Sequence, residues 1–351
     1  MFEKEELLKQ GFWSAKGPYN DTVISSRIRL ARNIPSVPFP DNMNGDEPDI
    51  IIGIARSFQG NSSFSGSTLV ILDSLSVDEK RLLREMNLIT DEMEKSLNSA
   101  VIINETENFS ILVNEEDHFR IQVIRPGLQL SAAYETADKV DEELNHQAPY
   151  AFSSATGYLA ACPSNVGTAL KASVLLHLPV LTMMKRMPEI ADSIRKERVE
   201  LRGTGGSGSK TMGCIYQVSN RISLGLSEVD IIETLDGLVS KIIDMEDDAR
   251  DEYIRLHRAE AEDKIFRSLG AVKFARRISY AESMEHLSNI RLGLILGLVR
   301  AVDLPFIQTI MVNIQQAHLQ NIYHRRFENI IETEEYRGEY LRMNFNALES
   351  V

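Results

Sequence analysis

The sequence predicts an α+β protein in which an antiparallel sheet flanked by helices precedes a smaller all-α domain. Three short apolar segments bounded by turn residues favour consecutive antiparallel strands. These segments are Val101–Ile103, Phe109–Val113 and Phe119–Val123. From Ser227 onward, apolar residues instead recur every three or four positions with acids between them, as is typical of amphipathic helices. We therefore predict two domains with a boundary near residue 245, covering residues 1–245 and 246–351.

Further elements are predicted on both sides of these strands. Residues 21–33 are rich in β-branched residues and alternate with period two, which predicts a strand with Arg27 and Arg29 on one face. The segment TLVILD, residues 68–73, is also strand-like, and Arg198–Leu201 is a strand that leads into a glycine-rich loop. Helices are predicted at Glu3–Gln10, Gly53–Gly60, Val77–Leu88, Ala132–Asn145 and Leu170–Met184.

Composition and charge restrict the class of protein. The chain has 351 residues, of which 43% are hydrophobic and 25% charged, and its net charge is −13. These values are ordinary for a soluble globular protein, and the negative charge argues against nucleic acid or an anionic membrane as a partner. The cysteines are Cys162 and Cys214. Two are too few for a disulfide framework or a usual structural zinc site.

The sequence also predicts a cytoplasmic location. The N-terminal segment MFEKEELLKQGFW carries acids where a secretion signal has a basic region and an apolar core. The most apolar late segment is Leu292–Val302, which follows Arg291. It has about half of the length that a membrane-spanning helix needs. We therefore expect neither export nor a membrane anchor.

The stretch Ile111–Leu130 places charged residues between two apolar segments. Glu115, Glu116 and Asp117 follow the first segment after Asn114, and Arg120 lies at the start of the second. These residues are too polar for the middle of a strand unless they face a site. Taken alone, they fit a hairpin with a solvated acidic tip and a functional site equally well.

Four arginines lie at the ends of apolar segments, namely Arg27, Arg29, Arg120 and Arg202. Phosphoryl transfer depends mainly on positioning and on neutralisation of charge, and guanidinium groups bind phosphate oxygens through two hydrogen bonds at once. Each arginine alone is an ordinary surface or ion-pair residue. The four together favour a site for a phosphate chain beside the acidic stretch.

The most glycine-rich segment is RGTGGSGSKTMG, residues 202–213. A P-loop requires glycine immediately before its lysine and again six positions before that lysine. Counted from Lys210, those positions hold Ser209 and Thr204, so the P-loop spacing fails at both glycines. The segment is compatible both with a loop that covers phosphates and with a plain surface loop.

Four motifs resemble the ATP:guanido phosphotransferases, the phosphagen kinase family, in their order and approximate spacing. They are SSRIRLARN (25–33), VNEEDHFRIQ (113–122), CPSNVGT (162–168) and RGTGGSGS…IYQVSNRISLGLSE (202–228). The resemblance covers most of residues 20–230, and NEEDH and CPSN are its distinctive parts. Within the family the chain is most similar to the bacterial protein-arginine kinases, which also carry extra C-terminal helices. In this chain those helices include IQQAHLQ, residues 314–320.

The resemblance implies the phosphagen kinase fold for the first domain and a role for individual residues. Glu116 matches the carboxylate that orients the acceptor guanidinium, and Cys162 matches the active-site cysteine. ATP and Mg²⁺ are the implied cofactors, and no protein ligand is assigned to the metal. The implied ATP-binding residues are Ser25, Ser26, Arg27, Arg29, Arg120, Lys171 and Arg202, with a loop made of Gly203, Gly205, Gly206, Ser207 and Gly208.

The sequence departs from the family pattern in four places. Ser207 stands where the loop usually carries a second catalytic carboxylate, Lys171 replaces a phosphate-binding arginine, and Asn87 replaces a histidine of the nucleotide pocket. The allosteric phosphoarginine motif RDxxRA of the protein-arginine kinases is reduced to RGEYLR. This segment keeps Arg337 but has Leu341 at the second arginine position, so we expect that regulatory site to be absent or altered.

Three functions are compatible with this pattern. The leading hypothesis is phosphoryl transfer from ATP to arginine residues of proteins, with activity reduced or altered by Ser207. The alternative is a catalytically inactive pseudokinase that acts as a regulatory binding module. A kinase for free arginine or another small guanidino compound comes third, because such kinases carry a leading helical domain and only 24 residues precede Ser25.

The expected partners follow from the leading hypothesis. We expect arginine-containing protein substrates and a homodimer, the latter from the apolar run Leu292–Val302 and from the family resemblance. An activator protein and an AAA+ protease system are left open as further partners.

Overall fold

The computed structural model describes the chain at residues 11, 14–58, 64–104, 109–205, 211–300 and 302–346. The helix predicted at Glu3–Gln10 lies outside these residues. In the described part, helices flank an antiparallel sheet as far as residue 227, and the elements that follow are helical. The α+β class with a helical C-terminal region is confirmed.

One large antiparallel sheet forms the centre of the molecule. In chain order, the strands of the described residues are β1 (Val23–Arg32), β2 (Ser67–Ile71), β3 (Ala100–Asn104), β4 (Phe109–Val113), β5 (Phe119–Pro126), β6 (Phe152–Ser153), β7 (Gly157–Tyr158), β8 (Leu170–His177), β9 (Val199–Gly203) and β10 (Ile215–Asn220). The sheet has the order β2-β3-β4-β5-β1-β8-β10-β9, and β6 and β7 form a separate hairpin. The predicted antiparallel meander around the acidic stretch therefore corresponds to β3, β4 and β5.

Helices surround the sheet and continue beyond it. They are α1 (Glu47–Phe58), α2 (Val77–Glu85), α3 (Asp91–Lys95), α4 (Leu130–Gln147), α5 (Pro179–Met183), α6 (Met187–Arg195), α7 (Glu228–Phe274), α8 (Tyr280–Ile295), α9 (Leu304–Asn313), α10 (Gln316–Ile322) and α11 (Ile330–Phe345). Ser76 and Ser227 cap α2 and α7 in reciprocal bonds with an acid three residues later, which satisfies free amide groups at each helix start. No helix among the described residues is long and apolar enough to cross a membrane.

The two faces of β1 differ in chemistry. Ile28 and Leu30 are buried in the main core, to which α4 contributes a row of apolar residues. Because side chains alternate along a strand, Arg27 and Arg29 point to the opposite face. The sheet face away from α4 is therefore available for polar side chains.

The helix predicted at Leu170–Met184 is wrong. Residues Leu170–His177 form β8, which pairs with β1 on one side and β10 on the other, and α5 begins only at Pro179. A short apolar run of this kind fits helical and strand periods alike. Pairing with two neighbouring strands decides in favour of the strand, and Pro179 suits the first turn of the helix that follows.

The predicted domain boundary near residue 245 falls inside α7, a helix of 47 residues. One residue of α7, His257, has non-helical angles of φ −130° and ψ 31°. Side chains of α7 as far as Ala261 pack in the core with the sheet, whereas Ile265 and later residues pack in a second core with α8, α9 and α11. One helix thus contributes to both cores, and the boundary at residue 245 stays a prediction.

Candidate active site

Several of the residues predicted to bind ATP come together on the face of the sheet opposite α4. Strand pairing places Arg29 beside Gln122 of β5 and beside Lys171 of β8. Arg27 lies beside Ser173 of β8 on the same face. Segments that are more than 140 residues apart in sequence therefore contribute to one polar surface.

Within the described ranges, Arg27 and Arg29 form no ion pair with an acidic side chain. Arg27 makes long contacts to neutral groups, 3.4 Å from Nε to Ser173 Oγ and 3.5 Å from Nη2 to Gln217 Oε1. In the described part of the chain, Nε of Arg29 is buried without a hydrogen-bond partner. Burial and the nearby Arg120 lower the pKa of Arg27 to about 10, and burial with the two neighbouring arginines lowers the pKa of Arg29 to about 9. Both remain cationic at neutral pH, so a bound anion would stabilise them.

The acidic stretch between β4 and β5 forms a packed loop rather than a solvated tip. Arg120 Nη1 donates to Glu115 Oε1 at 2.8 Å, and Arg120 Nη2 donates to Glu116 Oε2 at 3.3 Å. The side chain of Glu115 is 5% exposed, whereas that of Glu116 is 41% exposed. Glu116 is therefore the carboxylate of this pair that a ligand can reach.

The surroundings of Glu116 favour its protonated form. Burial raises the pKa of Glu116, and the negative charge of Asp117 raises it further, while Arg120 opposes both effects. A carboxylate with a raised pKa is a better proton acceptor than an ordinary surface glutamate. This is the property expected of a group that takes a proton from a weakly acidic donor.

Asp117 joins the acidic loop to the segment that carries Cys162. Its Oδ1 accepts hydrogen bonds from Asn33 Nδ2 at 2.7 Å and from the Ala161 amide at 2.8 Å. Asp117 is fully buried, and Cys162 follows Ala161 directly. The loops that present Glu116 and Cys162 are therefore held together by one buried carboxylate.

The first cavity of the polar face has a volume of about 200 Å³. Its lining residues include Arg29, Glu116, Arg120, Cys162 and Lys171. The structure thus places both predicted catalytic residues in one cavity with three of the predicted phosphate-binding cations.

The second cavity has a volume of about 170 Å³. It is lined by Ser25, Arg27, Asn87, Ile124, Ser173, Leu175, Thr204 and Gln217. Arg27 lines this cavity and Arg29 lines the first, and the two residues are two positions apart on one face of β1. The two cavities therefore adjoin along the arginine pair.

Lys171 is held by a carboxylate that the sequence did not indicate. Its Nζ lies 3.2 Å from Glu200 Oε1 and also donates to the Asn220 carbonyl. Glu200 Oε2 accepts a further bond from Arg202 Nη2 at 2.8 Å. Burial alone would raise the pKa of Glu200, but Lys171 and Arg202 together lower it, so this carboxylate is ionised. Period-two alternation within β9 could have placed Glu200 and Arg202 on one face.

Some predicted residues lie apart from both cavities. Ser26 points to the opposite face, where its hydroxyl donates to the Gly127 carbonyl at 2.8 Å and accepts from the Gln129 amide at 2.9 Å. Arg202 is 74% exposed, and among the residues described it lines neither cavity. The structure thus gives neither residue a contact with the cavities.

The glycine loop is described only in part. Gly203 ends β9, and Gly205 has φ +131°, where a Cβ would approach the Met212 side chain to 2.9 Å. Gly206, Ser207 and Gly208 lie outside the described residues. Whether Ser207 replaces a catalytic carboxylate therefore stays a prediction.

Arg337, the remnant of the regulatory motif, is buried in the helical region. Its Nε donates to the Ile314 carbonyl at 2.8 Å and its Nη1 to the Ile278 carbonyl at 3.1 Å. Leu341 is fully buried in the second core. Both residues serve packing in this structure, and the loss of the regulatory site stays a prediction.

Comparison with known protein families assigns the chain to a class. Residues 52–249 match the C-terminal catalytic domain of the ATP:guanido phosphotransferases, and residues 258–351 match the protein-arginine kinase McsB C-terminal domain. The chain belongs to the ATP:guanido phosphotransferase family, the family of the phosphagen kinases. It is therefore a phosphotransferase by family, with the polar face described above as its candidate active site.

Among individual proteins, the chain is similar to bacterial protein-arginine kinases. It is 38% identical to the one from Clostridium acetobutylicum over 328 residues, which cover 93% of this chain and 96% of the relative. It is 39% identical to the one from Bacillus licheniformis over 308 residues, which cover 87% of this chain and 85% of the relative.

Solved structures of phosphagen kinases share the fold. Lombricine kinase is 26% identical with a TM-score of 0.58, and the match covers 65% of this chain and 67% of that chain. The duplicated taurocyamine kinase from Schistosoma mansoni, with bound transition-state analogue components, is also 26% identical with a TM-score of 0.58. That match covers 68% of this chain and 36% of the taurocyamine kinase.

Proposed function

We propose that the protein transfers the γ-phosphoryl group of ATP to the guanidinium of arginine residues in proteins. The observation that carries this proposal is the pair of adjoining cavities separated by Arg27 and Arg29, with Glu116 in the first cavity. The first cavity receives the acceptor guanidinium, and the second receives the nucleoside of ATP. The similarity to protein-arginine kinases along most of the chain supports a protein acceptor.

The residues of the polar face fit ATP with Mg²⁺. Arg27, Arg29 and Arg120 would bind the phosphates, because the buried Nε of Arg29 has no hydrogen-bond partner among the described residues and a phosphate oxygen can accept a hydrogen bond from it. Mg²⁺, when bound with ATP, neutralises charge on the phosphates. No cluster of three or more acidic, histidine or cysteine ligands occurs in the described ranges. An ion bound mainly through phosphate oxygens and water needs none.

Glu116 carries out the acid–base part of the proposed reaction. Its carboxylate orients the acceptor guanidinium and takes the proton that the attacking nitrogen releases. A bond forms between that nitrogen and the γ-phosphorus while the bond from the γ-phosphorus to the bridging oxygen breaks, and ADP leaves. Arg29 and Arg120 stabilise the charge on the transferred group. Cys162 lines the same cavity, which supports the proposal that it contacts the guanidinium.

A non-catalytic role is the second candidate. Ser207 occupies the position of the usual second carboxylate, and Lys171 is paired with Glu200 instead of being free for phosphate. A loss of one positioned carboxylate reduces a rate by about two orders of magnitude or more. In this version the protein binds ATP or arginine and acts as a regulatory module.

The proposal also includes a cytoplasmic location, a homodimer, an activator protein and an AAA+ protease system as partners. In the apolar run Leu292–Val302, Leu292 and Val299 are buried in the cores of the chain, whereas Leu294, Leu296 and Leu298 are partly exposed. The dimer is proposed from this run and from the similarity to protein-arginine kinases. Measurement of the protein's mass in solution at micromolar concentration would test the dimer, and a monomeric mass would contradict it.

The test of the proposed function is a phosphorylation assay. The protein is incubated with ATP, Mg²⁺ and casein or histone, and acid-labile phosphate on arginine is measured by mass spectrometry. We expect incorporation with the wild type and a loss of about 100-fold or more with Glu116→Gln, because the proton acceptor is removed. Glu233→Gln changes an exposed acid on α7 and serves as the control.

The same assay separates the two candidates. No incorporation by the wild type, together with incorporation by Ser207→Glu, would support the pseudokinase. Incorporation by the wild type that Glu116→Gln leaves unchanged would contradict the assigned role of Glu116. Free arginine replaces the protein acceptor in a parallel reaction, and preferential phosphorylation of free arginine would overturn the proposed acceptor.

A further inference from the structure

The segment Ile314–Gln320, IQQAHLQ, has no role in the proposed chemistry but contacts the catalytic region closely. It begins at Ile314, directly after α9, and extends into α10 in the helical region. Ala317 packs against Leu82 and Leu83 of α2 in a third apolar core. The segment is therefore the place where the helical region meets α2.

The buried carboxylate of Glu85 accepts the hydrogen bonds that hold the segment Ile314–Gln320. Glu85, the last residue of α2, is 6% exposed. Its Oε1 accepts a hydrogen bond from the Ala317 amide at 3.0 Å, and its Oε2 accepts bonds from the His318 amide at 3.0 Å and from His318 Nδ1 at 2.8 Å. Gln315 Nε2 also approaches the Glu85 carbonyl, at 3.4 Å. Three donors on one buried carboxylate hold the two regions in one arrangement.

The end of α2 continues directly into the wall of the second cavity. Asn87, two residues after Glu85, has φ +60° and lines that cavity. The Asn87 carbonyl accepts a hydrogen bond from Gln122 Nε2 at 2.7 Å, and Gln122 is the cross-strand neighbour of Arg29. A continuous path of bonds and chain therefore runs from α10 through Glu85 and Asn87 to the arginine pair.

We propose that Glu85 is a positioning residue through which the helical region sets the wall of the nucleotide site. The inference rests on the proposed function, because ATP is taken as the ligand of the second cavity. When α10 is docked on Glu85, Asn87 and Gln122 are held in the geometry that lines the cavity. When the hydrogen bonds between Glu85 and α10 are lost, the end of α2 is no longer held by the helical region, and the position of the cavity wall is no longer fixed.

Docking and ATP binding are then linked in both directions. If docking of α10 raises the affinity for ATP, bound ATP must strengthen the docking by the same factor. Hydrogen exchange of the amides of Ala317 and His318 reports on the dock, because both amides donate to Glu85. ATP is therefore expected to slow their exchange in the wild type.

The test uses Glu85→Gln and His318→Gln in the full chain, with Glu94→Gln as the matched control. Glu94 belongs to α3, and its ion pairs are with Arg81 and Arg84 of α2 rather than with residues of the helical region. ATP binding is measured by calorimetry, and KM for ATP and kcat by the phosphorylation assay. We expect Kd and KM for ATP to rise about fivefold or more in both dock variants, with kcat changed less and the control unchanged.

Each result has a defined consequence. Equal ATP affinity in the wild type and in folded Glu85→Gln would overturn this inference while leaving the proposed function intact. No ATP binding by the wild type would overturn the proposed function first and this inference with it. If Glu85→Gln does not fold, Gln315→Ala keeps the carboxylate and removes the weaker contact. The inference then requires Gln315→Ala to raise the Kd for ATP, by less than His318→Gln does, and to reduce the slowing of exchange at Ala317 by ATP.

Discussion

At the scale of single residues, the candidate site contrasts two acidic groups. Glu116 is partly exposed, and its pKa is raised by burial and by Asp117. Glu200 is paired with Lys171 and Arg202, which lower its pKa. These environments support the proposal that the first group transfers a proton and that the second compensates charge.

The raised pKa of Glu116 predicts the pH dependence of the reaction. The protonated form of a carboxyl group with a raised pKa persists to a higher pH, and only the ionised form can accept a proton. We therefore expect kcat, measured at saturating ATP, to fall with decreasing pH at a midpoint above the ordinary glutamate value of 4.5. A midpoint at or below 4.5, in a protein that stays folded, would contradict the assignment.

The ion pair between Lys171 and Glu200 predicts the affinity for ATP. The Glu200 carboxylate neutralises the charge of Lys171 at the proposed phosphate site, and its own negative charge repels phosphate. Glu200→Gln should therefore lower the KM for ATP about fivefold, the equivalent of about 1 kcal/mol for a partly buried ion pair. Glu197→Gln, an exposed acid just before β9, is the control. An unchanged or higher KM in Glu200→Gln would show that the pair aids binding.

At the scale of elements, the strands with short apolar segments bounded by turn residues were predicted and the strand β8 was not. In β3, β4 and β5 the apolar segments are short and bounded by turn residues, so local pattern and final structure agree. The sequence LKASVLLH of β8 has no such pattern, and its conformation depends on β1 and β10 at its two sides. Lys171 was consequently assigned to the site through motif spacing, and only the strand pairing places it beside Arg29.

Glu200 illustrates the same limit at the edge strand β9. Its identity as a site residue depends on the approach of Lys171 from β8, 29 positions away in the chain. The Glu85 dock depends on residues more than 230 positions away, which no local pattern can bring together. The motif residues Glu116, Cys162, Arg27 and Arg29 could be predicted because the family resemblance carries information about tertiary contacts.

At the scale of the whole molecule, a buried polar seam joins the sheet to the helical region. Arg291 of α8 donates to His177 Nδ1 at 2.7 Å, and because an arginine can only donate, His177 Nε2 carries the hydrogen that it donates to Ser288 at 2.8 Å. Burial, with the charge of Arg291, holds the pKa of His177 well below its usual value. Glu246 of α7 accepts bonds from the first amides of α5 in the same region.

Glu246 predicts how stability changes with pH. Burial raises its pKa from 4.5 to about 7, so between these values the folded protein holds a proton that the unfolded chain has released. The free energy of unfolding should therefore decrease as pH rises from 4.5 to 7, by up to about 3 kcal/mol from this group. Urea unfolding at pH 5 and pH 7.5 should show a smaller decrease for Glu246→Gln than for the wild type. Glu233→Gln should follow the wild type, and equal slopes in all three would contradict the prediction.

The sequence by itself determined the fold class, the family and the choice of Arg29, Glu116 and Arg120 as candidate residues of the first cavity, because these depend on local periodicity and on motifs that stand intact in one segment. Only the tertiary structure decided that Leu170–His177 is a strand, that Ser26 faces away from the site, that Glu200 holds Lys171 and that Glu85 joins the helical region to Asn87. These features arise from contacts between distant segments. Their free energy comes from pairing, burial and charge in the folded state, which a single segment does not contain.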